Sequence, residues 1–180
     1  ILYVGTLQPR KNIPFLLQAF AKLRERDSSL RIVLVGSRTG HHFDHRIDET
    51  ISKLQIKDDV VFPGYVATED LPRIYQMADV FVFPSLYEGF GIPLLEAMSM
   101  EVPVIASNQA CLREVGGDAA LYFDLTKIDS LTELLYSLEV VGAQKQALIE
   151  KGKLRIQEFS WQKSGTKLIA LYQSWIGDQK

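Results

Sequence analysis

Short, wholly apolar runs alternate along this chain with segments in which apolar residues recur every three or four positions. The runs at residues 1–4, 32–35, 60–62, 80–83, 104–106 and 121–123 are the predicted strands. A strand that is apolar on both faces is buried on both, and strands that alternate with helices are joined by parallel crossovers. The chain is therefore predicted to be an α/β protein with a doubly wound, mainly parallel sheet and helices on both faces.

Helices are predicted between the strands from the 3.6-residue period of their apolar positions. Asn12 is the predicted N-cap of the first helix. Thr68 is the predicted N-cap of a later helix, with Glu69 and Asp70 in its first turn. After Asp124 the pattern is helical and forms a C-terminal tail. Residues 1–180 are predicted to be a single domain, which suits the usual domain size.

The charge of the chain is nearly balanced, with 20 basic and 22 acidic residues and a formal net charge of −2. This balance argues against a nucleic-acid partner. Cys111 is the only cysteine, so no intrachain disulfide can form, and a reducing compartment is expected. A small buried side chain is the expected role of Cys111, in preference to a nucleophile. The cytoplasm is the predicted location, with the cytoplasmic face of a membrane as the alternative.

The segment 84–98 carries the clearest signal for a ligand site. In open parallel sheets ligands bind beyond the carboxyl ends of the strands. Gly89 and Gly91 follow a predicted strand and precede a helix, so backbone N–H groups there can bind an anion. Glu88 precedes the helix and Glu96 lies about one turn inside it, where two carboxylates could hold one polyhydroxylated ligand. The alternative is that the glutamates only complement the helix dipole.

This glycine pattern differs from a dinucleotide-binding fingerprint. Leu94 occupies the third glycine position, the loop does not follow the first strand, and no acidic residue ends the next strand. A nicotinamide-dependent oxidoreductase is therefore disfavoured.

Two adjacent cations, Arg10 and Lys11, lie at the predicted N-terminus of the first helix. Cations oppose the helix dipole there, and an anionic ligand would relieve the conflict. The alternative is that both are solvated surface charges.

Seven short motifs occur in order along the chain: Gly5-Thr6-Leu7, Pro9-Arg10-Lys11-Asn12, Phe62-Pro63-Gly64-Tyr65-Val66, Pro84-Ser85, Glu88-Gly89-Phe90-Gly91-Ile92-Pro93, Glu96-Ala97-Met98 and Pro103-Val104-Ile105-Ala106-Ser107-Asn108. Together these segments resemble the C-terminal, nucleotide-sugar-binding domain of the retaining, group 1 glycosyltransferases, which have the GT-B fold. The domain is one Rossmann-like half of that fold. Glu88 and Glu96 have the E-x7-E spacing of the family, and the resemblance covers nearly all 180 residues.

The resemblance implies roles for individual residues. Glu96 would accept hydrogen bonds from the ribose hydroxyls, and Glu88 would contact the donor sugar near its 3-hydroxyl. Lys11, with Arg10 as a second candidate, would neutralise the leaving diphosphate. The other implied donor-binding residues are Gly5, Thr6, Gly36, Gly64, Tyr65, Leu71, Ser85, Gly89, Phe90, Gly91 and Ile92.

One position departs from the family, because many relatives carry arginine where this chain has Thr6. Arg10 is the only arginine nearby that could replace it. The Pro-Arg-Lys-Asn form of the loop looks like that of mannosyltransferases, so GDP-mannose is the favoured donor, with UDP- or ADP-sugars as alternatives. The expected reaction is hexosyl transfer to a glycan, lipid or other acceptor with retention and without a metal or other cofactor.

The acceptor site is expected in an N-terminal domain that this chain lacks, so the isolated domain is expected to be inactive. Any peripheral membrane association would occur through that missing half. The alternatives are a non-catalytic nucleotide-sugar-binding module and a GT-B-like sugar-nucleotide epimerase. His41, His42 and His45, with Asp44 among them, have a spacing that could hold a metal, but a solvated loop is the favoured interpretation.

Overall fold

A computed structural model of the chain describes residues 1–39, 42–140 and 142–177. One six-stranded sheet forms the centre of the molecule. Its strands are β1 (Leu2–Val4), β2 (Ile32–Val35), β3 (Val60–Gly64), β4 (Phe81–Phe83), β5 (Val104–Ser107) and β6 (Ala120–Phe123). All five strand pairings are parallel, in the order β3-β2-β1-β4-β5-β6. The predicted doubly wound, Rossmann-like sheet is confirmed.

The strands are connected by helices, and further helices form the tail. The helices are α1 (Ile13–Arg24), α2 (Arg46–Leu54), α3 (Leu71–Gln76), α4 (Ile92–Ser99), α5 (Ala110–Gly116), α6 (Ile128–Val140), α7 (Gly142–Ile156) and α8 (Trp161–Gly177). Helix α1 packs against α2 and α6, whereas α4 packs against α5 and α7. The predicted helical tail is confirmed.

The start of α3 differs from its prediction. Asp70, not Thr68, is the N-cap, so Glu69 and Asp70 lie before the first turn. A helix capped at Thr68 would require a backbone N–H at position 72 for its first intrahelical bond, and Pro72 has none. The helix therefore begins at Leu71, which places Pro72 in the first turn.

Two other helices also differ from expectation. Asn12 is the N-cap of α1, as predicted, but it adopts a left-handed conformation with φ 55° and makes no side-chain capping bond. Helix α5 was not predicted, because a helix of two turns presents few periodic apolar positions. Its buried residues are Leu112, Val115 and Gly116.

The hydrophobic core lies on both faces of the sheet. Every residue of β1, β4 and β5 is buried. The rings of Tyr3, Phe81 and Phe83 form a stack across β1 and β4, with centroids 6.2 Å apart for Tyr3–Phe83 and 5.9 Å for Phe81–Phe83. This rigid centre supports the loops that leave the carboxyl ends of the two strands.

Helix α8 keeps much of its apolar surface exposed, including Trp161 and Trp175. Among the described residues, no helix combines the length and the apolarity that a membrane crossing requires.

Candidate functional site

The strand order reverses between β1 and β4, and ligands of open α/β sheets bind in the crevice at this switch point. The loop after β1 and the loop after β4 form the walls of this crevice. The Leu86 amide of the second loop donates to the Arg10 carbonyl of the first at 2.8 Å. The fold therefore fixes both predicted ligand-binding loops against each other.

Glu88, on the loop after β4, joins the two cations of the loop after β1. Lys11 Nζ donates to Glu88 Oε1, and Arg10 Nη1 donates to Glu88 Oε2 at 3.0 Å. Arg10 therefore points toward the site, although 45% of its side chain is exposed. Of the two predicted interpretations of these cations, solvated surface charges do not describe Lys11, whose side chain is 8% exposed.

The charges of this cluster stabilise each other against the cost of burial. Burial opposes the ionisation of Glu88, but the hydrogen bond from Lys11 and the charges of Lys11 and Arg10 outweigh it and lower the pKa of Glu88. Burial also lowers the pKa of Lys11, and the contact with Glu88 offsets part of that effect. The Lys11 ammonium lies 4.7 Å from the centre of the Phe83 ring, a further favourable contact for a cation.

The N-terminus of α4 adjoins this ion cluster. Gly91 is the N-cap with φ 118°, a left-handed conformation that favours glycine. Within the described ranges, the N–H groups of Phe90, Gly91 and Ile92 donate to no protein acceptor. Gly89 and the side chains of Phe90 and Ile92 are exposed. The loop thus offers N–H donors at the positive end of a helix, as an anion site requires.

The strand β5 and helix α5 support the β4 loop from behind. Ser107 Oγ donates to the Ser85 carbonyl at 2.6 Å, and both residues are fully buried. Cys111 Sγ donates to the Glu88 carbonyl at 3.1 Å. Cys111 is half-buried and not wholly buried as expected, because its thiol reaches the edge of the loop. These two supports were not predicted from the sequence.

Glu96 lies on α4 and faces α3. Tyr75 Oη donates to Glu96 Oε2 at 2.9 Å. Tyr75 is buried, whereas Glu96 is partly exposed. No local pattern in the sequence could have revealed that Tyr75 has a partner 21 positions away.

Three of the predicted glycines lie where β1, β2 and β3 end. The Gly5 amide donates to the Val35 carbonyl, and the Gly36 amide donates to the Gly64 carbonyl, each at 3.0 Å. A Cβ at Gly36 would lie 2.1 Å from the Gly5 carbonyl oxygen, so a side chain cannot fit there without movement of the backbone. These glycines bring the strand ends close together at the edge of the crevice.

The remaining predicted residues lie around this edge. Thr6 is exposed and lines a cavity of about 190 Å³ with Ser37 and Phe43. Tyr65 is 80% exposed just after β3, and Leu71 is partly buried at the first position of α3. In the described part of the chain, no side-chain hydrogen bond or ion pair joins Thr6, Tyr65 or Leu71 to Glu88.

The histidine segment does not assemble around Asp44. His41 lies outside the described residues, and the described ones contain no group of three histidine, cysteine or acidic residues that could hold a metal. Asp44 is buried and accepts two hydrogen bonds at 2.8 Å from the Arg46 guanidinium, which lowers the pKa of the carboxyl. His42 and His45 are exposed, as the favoured interpretation of a solvated loop expects, whereas Asp44 between them is buried.

Comparison with known proteins shows what the whole chain is similar to. Residues 1–155 match the model of the family described as "Glycosyl transferases group 1". O-antigen chain mannosyltransferase B of Escherichia coli is 38% identical over 173 residues, which are 96% of this chain and 45% of that protein. The chain thus spans less than half the length of this relative.

Solved structures show the same fold. Sucrose-phosphate synthase from Thermosynechococcus elongatus superposes with a TM-score of 0.86 and 28% identity, over 98% of this chain and 45% of that one. Anabaena HepE, solved in complex with UDP and glucose, superposes with a TM-score of 0.80 and 21% identity, over 96% of this chain and 47% of that one.

Proposed function

The chain belongs to the group 1 glycosyl transferases, and from that membership we propose that it binds the nucleoside-diphosphate sugar donor of a hexosyl transfer. The observation that carries the proposal is the meeting of Lys11 and Glu88 at the β1/β4 switch point. Beside them are the N–H groups that begin α4, which donate to no acceptor among the described residues. Positive charge for a diphosphate and a carboxylate for sugar hydroxyls thus occur together in one crevice.

Lys11 and the α4 amides hold the diphosphate in this proposal. An ammonium has three N–H donors, so Lys11 can bind phosphate oxygens while one N–H stays on Glu88. The amides of Phe90, Gly91 and Ile92 supply uncharged donors at the positive end of the helix dipole. Arg10 contributes a second cation near the same carboxylate and is a candidate for the role that arginine has at the position of Thr6 in relatives.

Glu88 and Glu96 bind hydroxyl groups at the two ends of the donor. A carboxylate has about four acceptor positions, and the two cations occupy two of those on Glu88, which leaves others for the sugar. Glu96 lies eight positions further along the chain and accepts from the ribose. We assign Ser85 to support of the loop, since its side chain is fully buried.

The chemical step proposed is transfer with retention at the anomeric carbon. The bond from that carbon to the diphosphate oxygen breaks, and a bond to the acceptor oxygen forms on the same face. The acceptor proton passes to the leaving diphosphate. Negative charge grows on the diphosphate as the bond breaks, and fixed cations placed there lower the barrier. Lys11 and Arg10 supply that charge, so we expect the reaction to need no metal, and activity of a complete enzyme that includes the acceptor half would agree if it survives EDTA.

Mannose is the sugar we favour, and GDP-mannose the donor. The support is the Pro-Arg-Lys-Asn loop and the similarity to a protein named as a mannosyltransferase. A protein with the same fold was solved with UDP and glucose, so UDP-sugars are the first alternative. The acceptor site, in this proposal, lies outside these 180 residues, since relatives are more than twice as long. The isolated chain should therefore transfer no sugar.

Calorimetric titration of the chain with GDP, UDP, ADP and NAD tests the proposal. One nucleoside diphosphate should bind, and the same base attached to a diphosphate sugar should compete for the same site. Binding of NAD in preference to all three diphosphates would indicate a dinucleotide-dependent enzyme instead. If none of the four compounds binds, the proposal is overturned.

A further inference from the structure

We propose that Tyr75 is a positioning residue, which holds one oxygen of the Glu96 carboxylate so that the other oxygen faces the ribose hydroxyls of the bound nucleotide. The inference rests on the proposed function, because it assigns a partner to the residue that would bind the ribose. No sequence motif identified above includes Tyr75.

In this contact the donor, the Tyr75 phenol, is buried in the core, whereas the acceptor, the Glu96 carboxylate, is partly exposed. Tyr75 Oη donates to Glu96 Oε2 at 2.9 Å. The ring of Tyr75 is 2% exposed and packs on Phe81 of β4, with centroids 5.5 Å apart. Glu96 is partly exposed on α4, on the side that faces α3. A phenol locked in the core therefore determines where a flexible surface carboxylate points.

The Tyr75 phenol is a neutral donor, so it does not neutralise the negative charge of Glu96. In the residues that the structure describes, no lysine, arginine or histidine nitrogen lies within ion-pairing distance of the Glu96 carboxylate. Glu88, in contrast, is held by two cations. A neutral donor orients the carboxylate without cancelling its charge, so the remaining oxygen stays a strong acceptor. Burial and the neighbouring negative charge of Glu96 raise the pKa of Tyr75 far above its usual value, which keeps the phenol protonated.

Removal of the Tyr75 hydroxyl should weaken the binding of a nucleotide that has ribose hydroxyls and leave the binding of one without them nearly unchanged. Without the phenol, Glu96 must be ordered when the nucleotide binds, and ordering one long side chain weakens binding by about three- to ten-fold. Tyr75→Phe should show this loss for a nucleoside diphosphate. The 2′,3′-dideoxy form of the same diphosphate lacks both hydroxyls, so its affinity should change less than about two-fold, since nothing remains for Glu96 to bind.

The experiment uses whichever of GDP, UDP and ADP binds best, together with its 2′,3′-dideoxy counterpart. Dissociation constants are measured by calorimetry for the wild-type chain, Tyr75→Phe, Glu96→Ala and the double variant. The Glu96→Ala change should reduce the preference for the ribo form, and Tyr75→Phe should cost almost nothing more once Glu96 is replaced, because alanine leaves no acceptor for the phenol to position. This non-additivity separates positioning of Glu96 from a general loss of packing.

Tyr122→Phe is the matched control. Tyr122 lies on the edge strand β6, two strands from β4, and its Oη donates to the Gly117 carbonyl at 2.9 Å, so its loss removes a comparable hydrogen bond that does not involve Glu96. It should lower thermal stability as Tyr75→Phe does and leave both nucleotide affinities unchanged. Equal losses for ribo and dideoxy forms in Tyr75→Phe, or additive losses with Glu96→Ala, would overturn the inference. A wild-type chain that binds no nucleoside diphosphate would instead overturn the proposed function itself.

Discussion

Lys11, on the loop after the first strand, donates a hydrogen bond to Glu88, which follows 77 positions later on the loop after the fourth strand. Both side chains are largely shielded from solvent, at 8% and 11% exposure. Buried charges are costly unless they are paired, so each residue needs the other in the absence of ligand. The contact therefore also keeps the two walls of the crevice in register before a donor arrives.

Acidification should weaken the contribution of Glu88 to folding. The pKa of Glu88 in the folded chain is below its ordinary value of about 4.3, since the contacts with Lys11 and Arg10 outweigh the effect of burial. A lowered carboxyl pKa gives stability that is present above the unfolded-state pKa and is lost as the pH falls through the folded-state pKa. Glutamine resembles a protonated glutamate, so the difference between wild type and Glu88→Gln should shrink below about pH 4.

Urea denaturation of both proteins between pH 7 and pH 3 measures this difference, and comparison with the variant removes the contributions of other acidic groups. A difference in unfolding free energy that stays constant over the whole range would show that the ion cluster does not titrate as described.

Substitution of Gly36 should distort the edge of the crevice. A Cβ there would lie 2.1 Å from the Gly5 carbonyl oxygen, and backbone atoms must move to admit it. Gly36→Ala should therefore destabilise the chain by about 1–3 kcal/mol, as other overpacked sites do. It should also weaken nucleotide binding, because the strand that moves leads to Lys11.

Gly165→Ala is the control for the same chemical change. Gly165 lies inside α8, and a Cβ there meets nothing within 4 Å. Alanine at this helical position should stabilise the chain by about 0.5–1 kcal/mol. Thermal unfolding of both variants gives the comparison, and equal small effects at the two positions would contradict the close approach of Gly36 to Gly5.

Removal of the Glu96 carboxylate should weaken nucleotide binding without unfolding the chain. Glu96→Ala removes the carboxylate proposed to accept from the ribose hydroxyls, which should cost about 1.5–3 kcal/mol in the binding of a nucleoside diphosphate. Calorimetry on wild type and variant measures the loss. An unchanged affinity would mean that Glu96 serves only the dipole of α4, the alternative that the sequence left open.

The sequence predicts the sheet well because buried parallel strands produce unmistakable apolar runs. The strand at 104–106 was predicted to within one residue of β5 (Val104–Ser107). Helix ends were less certain, since a single proline, Pro72, moved the start of α3 from the predicted cap. The start of a helix depends on which backbone N–H groups its first turn needs as donors, and helix propensity alone does not account for this.

The candidate site could be predicted residue by residue but not contact by contact. The spacing of Glu88 and Glu96 identified both as candidate ligand-binding carboxylates. Their different partners, two cations for Glu88 and a phenol for Glu96, depend on which segments meet in space. Lys11 and Arg10 were predicted to face an anionic ligand, and in the structure both hold Glu88. Tyr75, Ser107 and Cys111 act through long-range contacts that leave no periodic signal in the sequence.

The central claim, that the crevice between β1 and β4 holds a diphosphate, is tested most directly by the affinity of Lys11→Ala for a nucleoside diphosphate and for the matching nucleoside. Of the groups on the nucleotide, Lys11 is proposed to bind the phosphate oxygens and not the base or the ribose. The variant should therefore lose about 1.5–3 kcal/mol of binding free energy for the diphosphate and almost nothing for the nucleoside. The loss should shrink as salt concentration rises, since the site is open on one side.

Arg10→Ala accompanies this measurement as the internal comparison. Its side chain is far more exposed than that of Lys11, yet it contacts the same carboxylate. A similar phosphate-specific loss would assign to Arg10 the role that Thr6 cannot fill, and a negligible loss would leave that role to Lys11 alone. For Lys11→Ala itself, calorimetry should show a loss for the diphosphate only, whereas equal losses for diphosphate and nucleoside would mean that Lys11 stabilises the fold and that the crevice holds no phosphates.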